Sequence, residues 1–205
     1  MTDDILTALD VSRETVERLR RFEALAGKWS RRINLVSSAD LPHLWTRHIL
    51  DSAQLVRFAP ESGASWADLG SGGGFPALVL AILFRELRPD MTVTLVESDG
   101  RKAAFLHHAT AELGLAVRII TQRLESIRPL DADVLSARAL APLSTLLSHA
   151  ERHLSPDGVA IFPKGRNWSE ELAEARRNWQ FELAIHESLT DVQARILIIE
   201  GLSRV

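Results

Sequence analysis

From Asp68 to Pro76 the chain reads Asp-Leu-Gly-Ser-Gly-Gly-Gly-Phe-Pro, after a short apolar run (Trp66 to Leu69) and before a long one. Glycine lets the backbone turn sharply and approach a ligand, and the unpaired N–H groups at the start of the next helix favour negative charge. A cofactor cradle is the functional reading; a plain tight turn is the alternative. A dinucleotide fingerprint would need a third glycine where Phe75 stands, and no G-K-[ST] of a phosphate-binding loop follows. Glu97 closes the run Thr92-Val-Thr-Leu-Val and lies 23 residues past Gly74. A carboxylate there can accept the protons of both ribose hydroxyls, so loop and acid together imply an adenosine-type ligand. Alternatively, Glu97 caps the helix that starts near Ser98-Asp99-Gly100. Asp68 either braces the loop or meets the ligand's positive end.

These residues need a scaffold that gathers strand ends on one edge. From Trp66 onward, short β-rich runs alternate with helical ones, as βαβ units of a parallel sheet require. The strands are expected at 66–69, 92–97, 116–121, 133–136, 159–163, 181–186 and 196–200. Helices are expected at 77–87, 101–113, 142–153, and 169–179 with Ser169 as N-cap. The last two strands leave little room for a crossover. The expected fold is therefore α/β, a doubly wound, seven-stranded, mostly parallel sheet ending in an antiparallel hairpin. Upstream, Ser12 caps a helix whose stripe is Val16, Leu19, Phe22, Ala26, Trp29 and Ile33, and a second helix spans Leu44 to Phe58. Residues 1–60 would form a helical cap packed on a core of residues 61–205, in one compact unit.

Composition narrows the function classes. The 205 residues are 46% apolar and 25% charged, an ordinary globular balance. With no cysteine, disulfide scaffolds, zinc ribbons, iron–sulfur clusters and thiol nucleophiles are excluded. The longest apolar stretch, Phe75 to Phe84, is far shorter than the roughly 20 residues of a spanning helix, so no membrane association is expected. The acidic start Met1-Thr-Asp-Asp4 does not resemble a secretory signal, and a cytoplasmic location is expected. The net charge is −3, yet residues 18–32 carry +5 through Arg18, Arg20, Arg21, Lys28, Arg31 and Arg32 against Glu23. That window is either a phosphate-contacting surface or the solvated face of an amphipathic helix.

The loop Asp68 to Pro76 looks like motif I of class I S-adenosylmethionine-dependent methyltransferases. Taken with Asn34-Leu35, His48-Ile-Leu-Asp51-Ser52, Glu97-Ser-Asp-Gly-Arg-Lys102, Ser136-Ala-Arg138-Ala139 and Lys164-Gly165, the chain resembles the bacterial RsmG (GidB) family. The resemblance runs from about Trp29 to Gly165. It implies S-adenosylmethionine as cofactor and N7 of one guanine in 16S ribosomal RNA as acceptor, with naked RNA or the small ribosomal subunit as partner. It further implies cofactor contacts at Gly70 and Phe75, at Leu124 and Glu125 after the third strand, and at Arg138 after the fourth; Gly72, Gly74 and Glu97 join them from the loop reading. The chain departs from the family at Ala77, usually glycine, and Leu124, usually alanine.

Guanine N7 carries a free lone pair and no proton, so a sulfonium methyl can reach it by alignment alone, without a general base. Motifs for exocyclic amines, and the cysteine needed for pyrimidine C5, are missing. Arg138 suits a pocket role; the alternative is an ion pair with Asp133 or Glu125. His48 and Asp51, one helical turn apart, are expected to fasten the N-terminal helices to the sheet; the alternative is a substrate-side or cofactor-lid interaction. Arg18, Arg21, Lys28, Arg31, Arg32 and Lys164 are the candidate RNA contacts. Trp29 belongs to the core stripe. No metal is expected, and the protein is expected to be a monomer. The competing readings are a methyltransferase for a small molecule or protein, an NAD-binding oxidoreductase, and a non-catalytic RNA-binding module.

Overall fold

The structure, a computed structural model, describes residues 4–61 and 64–205. The acidic start at Met1, Thr2 and Asp3 lies outside the described residues. A short helix α1 (Asp4–Ala8), which the sequence did not announce, precedes α2 (Arg13–Ser30). The Ser12 hydroxyl caps α2 by accepting from Thr15 N, and Glu86 of a later helix accepts from Ser12 N, Ser12 Oγ and Thr15 Oγ1. The apolar stripe does what its period demands. Leu19, Phe22 and Ala26 are fully buried, and Trp29 packs at 5.5 Å from the Phe105 ring.

The second N-terminal helix is not uniform. A 3₁₀ turn (Leu41–His43), a π turn (Trp45–Leu50), one α turn, α3 (Asp51–Ala53), and another 3₁₀ turn (Gln54–Phe58) succeed one another. Single π turns break the i→i−4 ladder and re-aim side chains, often at functional sites. This one carries Arg47 and His48.

Seven strands form one sheet in the order β3-β2-β1-β4-β5-β7-β6. They are β1 (Ser65–Leu69), β2 (Thr92–Val96), β3 (Val117–Ile120), β4 (Ala132–Ser136), β5 (Leu154–Lys164), β6 (Trp179–Glu187) and β7 (Arg195–Arg204). The first five pair in parallel; β7 runs antiparallel to both β5 and β6, giving the expected terminal hairpin. Connections run through α4 (Ala77–Leu87), α5 (Gly100–Leu113), α6 (Leu143–His153) and α7 (Trp168–Ala175). Three expectations are corrected. Strand β7 runs on to Arg204, four residues past its expected end. Strand β5 begins five residues early, because Ser155-Pro-Asp-Gly158 is taken up in an irregular pairing with β4 rather than a free turn. Helix α7 starts at Trp168 after Asn167, with no side-chain cap from Ser169, and ends at Ala175.

Two apolar clusters cover the sheet. One joins Leu19, Phe22, Ile49, Leu50 and Leu55 of the N-terminal helices to α4, α5 and the β1–β2 face; the other joins α6 and α7 to β4, β5 and β7. The strand order reverses between β1 and β4, and the crevice outside the carboxyl ends of the strands at such a point is where open α/β sheets bind ligands.

Candidate functional site

After β1 the chain turns through Gly70, Gly72 and Gly74, all with left-handed φ (66°, 52° and 81°), before entering α4. The turn is tied at several points: Ser71 N donates to Val96 O, Gly74 N to Ser71 O, and Ser71 Oγ to Asp68 O. Glu97, at the end of β2, is nearly buried. Its Oε2 accepts from Gly72 N at 2.8 Å and its Oε1 from Asp99 N at 2.7 Å. Each oxygen keeps a lone pair for a further donor, such as a sugar hydroxyl. Glu97 is not the cap of α5. That role belongs to Asp99, which accepts from Arg101 N and Lys102 N.

Asp68 is buried beneath the loop. Ser136 Oγ of β4 donates to its Oδ1 at 2.6 Å while accepting from Trp66 Nε1, so the side chain braces β1 against β4. Its Oδ2 is buried with no partner, and burial lifts its pKa to about 6.

Gly70, Glu97, Leu124 and Glu125 line one open crevice of about 540 Å³, together with Asp99, Lys102 and Leu140 among others. Four of the expected cofactor residues thus converge. Gly72 and Gly74 shape the loop without lining the crevice. Phe75 turns away from it, with its ring 5.1 Å from Phe22 and 5.0 Å from His48. A crevice bounded by a glycine turn, a carboxylate at the end of β2 and Leu124 in the 3₁₀ turn that follows β3 fits an adenosyl group. The unsatisfied carboxylate oxygen below the loop adds a negative field suited to a sulfonium's charge.

Arg138 also faces away from this crevice. Its NH1 donates to Asp51 Oδ2 at 3.0 Å and to Arg47 O at 3.1 Å, and its NH2 meets His48 Nδ1. Neither Asp133, bonded to Ser65, nor exposed Glu125 is its partner. His48 and Asp51 therefore fasten the N-terminal segment to the end of β4, as expected, with Arg138 as the joint. Burial, reinforced by the Arg138 charge, pushes the His48 pKa down to about 4. The imidazole is neutral at physiological pH and accepts the guanidinium proton.

Arg138 lines a second pocket of about 340 Å³, whose walls include Arg47, His48, Asp51, Lys164, Thr190 and Arg195. Ala139, with φ of 54°, belongs to both pockets, so crevice and pocket meet at one residue. Lys164 is held by Glu171 at 2.6 Å and Ala141 O at 3.2 Å. Sequence reasoning missed Gln54, Ser188, Thr190 and Arg195, which no local spacing marks.

The basic window divides. Arg18 is mostly covered and paired with Glu14; Arg20 pairs with Glu23 and lies 3.3 Å over the Trp45 ring; Arg21 donates to Glu112 O. Lys28, Arg31 and Arg32 are exposed, with no partner among the described residues. Leu35, three residues past Arg32, packs against the glycine loop: a Cβ on Gly73 would sit 3.3 Å from Leu35 Cβ. Among the described residues no helix is long and apolar enough to cross a membrane.

The sheet order, with its reversed last pair, and the glycine-and-acid crevice define a class I, S-adenosylmethionine-dependent methyltransferase. Solved structures share the architecture. A SAM-dependent methyltransferase from Aquifex aeolicus aligns over 79% of this chain and 94% of its own, with TM-score 0.59 and 14% identity. A TehB-like SAM-dependent methyltransferase from Corynebacterium glutamicum aligns over 86% and 98%, with TM-score 0.58 and 17% identity. The family described as rRNA small subunit methyltransferase G, GidB, matches residues 15–198, and the chain belongs to it. Curated relatives named ribosomal RNA small subunit methyltransferase G include one from Ruegeria pomeroyi, 54% identical over 96% of both chains. Another, from Cereibacter sphaeroides, is 46% identical over the full length of both.

Proposed function

We propose that the protein transfers a methyl group from S-adenosylmethionine to N7 of a guanine in 16S ribosomal RNA, acting in the cytoplasm as a monomer. The observation that carries this reading is the junction at Ala139, where the crevice meets a pocket walled by Arg47, Arg138, Lys164 and Arg195 among the acids Asp40, Asp51 and Asp191. When bound, S-adenosylmethionine supplies an electrophilic methyl on a sulfonium.

This chain's residues hold and align. Glu97 takes the ribose hydroxyls with its remaining lone pairs, and Gly70 leaves room for close approach. Leu124 and Glu125 flank the base of the adenosyl group. Across Ala139, the pocket framed by Arg138, Lys164 and Arg195 receives the guanine. N7 has no proton to give up, so no group in the pocket needs to act as base, and alignment is the main contribution, of order 7 to 11 kcal/mol at most. A displacement of this kind asks for no metal. Lys28, Arg31 and Arg32 give salt-sensitive affinity for the RNA backbone.

The test is to map N7-methylguanine in 16S ribosomal RNA from cells with and without the gene. One modified guanine is expected to disappear and to return with the cloned gene. An unchanged map would overturn the reading. In parallel, S-adenosylhomocysteine, and not NAD, should raise the protein's melting temperature.

A further inference from the structure

The second pocket has a wall contributed by the far end of the chain, the segment 188–194 between β6 and β7, and one buried side chain holds it there. Gln54 is 2% exposed, and its amide is fully engaged. Nε2 donates to Asp51 Oδ1 at 2.9 Å and Ser188 Oγ at 3.1 Å, with Thr190 Oγ1 at 3.5 Å. Oε1 accepts from Leu189 N at 2.8 Å. Thr190 Oγ1 in turn donates to Asp51 Oδ1 at 2.6 Å, and the other oxygen of Asp51 holds Arg138.

We propose that Gln54 is a positioning residue for methyl transfer: it clamps the β6–β7 turn to Asp51 and thereby sets Arg138 in the pocket wall. The inference rests on the methyltransferase reading above. The physical argument is one of donors and acceptors. Asp51 Oδ2 is taken by Arg138, and Oδ1 must be satisfied from elsewhere or the carboxylate is free to swing. Gln54 and Thr190 supply those two donors from segments more than 130 residues apart. A carboxamide donates to Asp51 and accepts from Leu189 N at the same time, which an ionised carboxylate cannot do. Without it the turn loses a main-chain anchor and Arg138 loses the rigidity of its counter-ion. A fixed guanidinium pays less ordering entropy when a substrate arrives.

Two variants test this in the full-length protein. Gln54→Glu is isosteric but sets a carboxylate against Asp51, whose repulsion raises the new acid's pKa. The groups around it are Asp51, then Arg138 and His48 behind it, Arg57 on its own segment, and Asp191, Glu187 and Arg195 at the turn. His48 titrates near 4, outside an assay run from pH 5.5 to 8. Thr190→Val, on the partly exposed turn, removes only the hydroxyl. Expected are a fall in kcat of about tenfold or more in each variant and S-adenosylhomocysteine affinity within about twofold of wild type. For Gln54→Glu alone, the loss should shrink as pH falls, because the protonated acid can donate to Asp51 again. Wild-type kcat in both variants, or a Gln54→Glu loss that is the same at every pH, or one that follows cofactor affinity, would overturn the inference. A wild type that methylates no small-subunit RNA would instead overturn the reading beneath it, and this inference with it.

Discussion

The two pockets that meet at Ala139 are built by opposite means. The crevice is set by local main-chain geometry: a turn through three left-handed glycines, of which Gly70 lines it, and a carboxylate whose two oxygens bind backbone N–H groups within 25 residues of it. The adjoining pocket is made of side chains from four distant segments, joined through Arg138, Asp51, His48, Gln54 and Thr190. Backbone geometry serves a ligand that is always the same. Side-chain networks can be retuned one residue at a time, as the specific recognition of one RNA base requires.

Substitutions should separate the two regions. The largest effect is expected on the crevice side. Gly70→Val forces a side chain into φ +66°, with its Cβ 2.5 Å from a Leu140 methyl, and Glu97→Ala frees Gly72 N and Asp99 N together. A hydrogen bond to a charged group contributes roughly 1.5 to 3 kcal/mol, so cofactor affinity should fall by about a hundredfold or more in each. Leu140 is a partly exposed, flexible neighbour, so the fold should survive Gly70→Val. Calorimetric titration with S-adenosylhomocysteine reads the loss, and unchanged affinity in either variant would remove the crevice assignment. Next, Arg138→Ala should cost methylation roughly ten- to a hundredfold while leaving cofactor affinity within a few-fold, because its partners lie across Ala139. An equal loss of both would mean that the two pockets are one.

The same contrast explains what the sequence could reveal. The loop is legible because each of its features is local: glycines need left-handed φ where they stand, and β2 ends one residue before Glu97. The strands were placed to within a residue or two where apolar runs are bounded by turn residues. They were misplaced at β5, where a Pro-Asp-Gly stretch joins an irregular ladder, and at β7, which runs through Gly201 to Arg204, four residues past its expected end. For Phe75 and Arg138 the place in the chain was legible but the side-chain neighbours were not, since those are Phe22, His48 and Asp51, which arrive from the N-terminal helices. The π turn that delivers His48 leaves no mark in spacing that helical periodicity could detect. Nothing local pairs Gln54 with Leu189, because that contact exists only after the sheet has brought residue 189 beside the cap.

The smallest expected effect is on stability, and its sign differs between the regions. Asp68, under the crevice, has its pKa raised to about 6 by burial, so the folded state holds a proton that the unfolded chain releases near 3.8. Its contribution to stability therefore grows as pH falls from 6 toward 4. His48, in the pocket wall, is lowered from 6.5 to about 4, so its contribution is complete above 6.5 and is lost as pH falls through 4. Between pH 6 and 4 the two slopes oppose each other in the wild type, and each substitution should uncover the other. His48→Gln keeps an acceptor for Arg138 and should improve relative to wild type as pH falls. Asp68→Asn should worsen relative to wild type over the same range. Each drift should amount to roughly 1 to 2 kcal/mol, read from urea midpoints at half-unit steps of pH. If both variants ran parallel to wild type, the protonation states assigned to the two pockets would be wrong. If both drifted in the same direction, the contrast in sign would fail while titration within the site would stand.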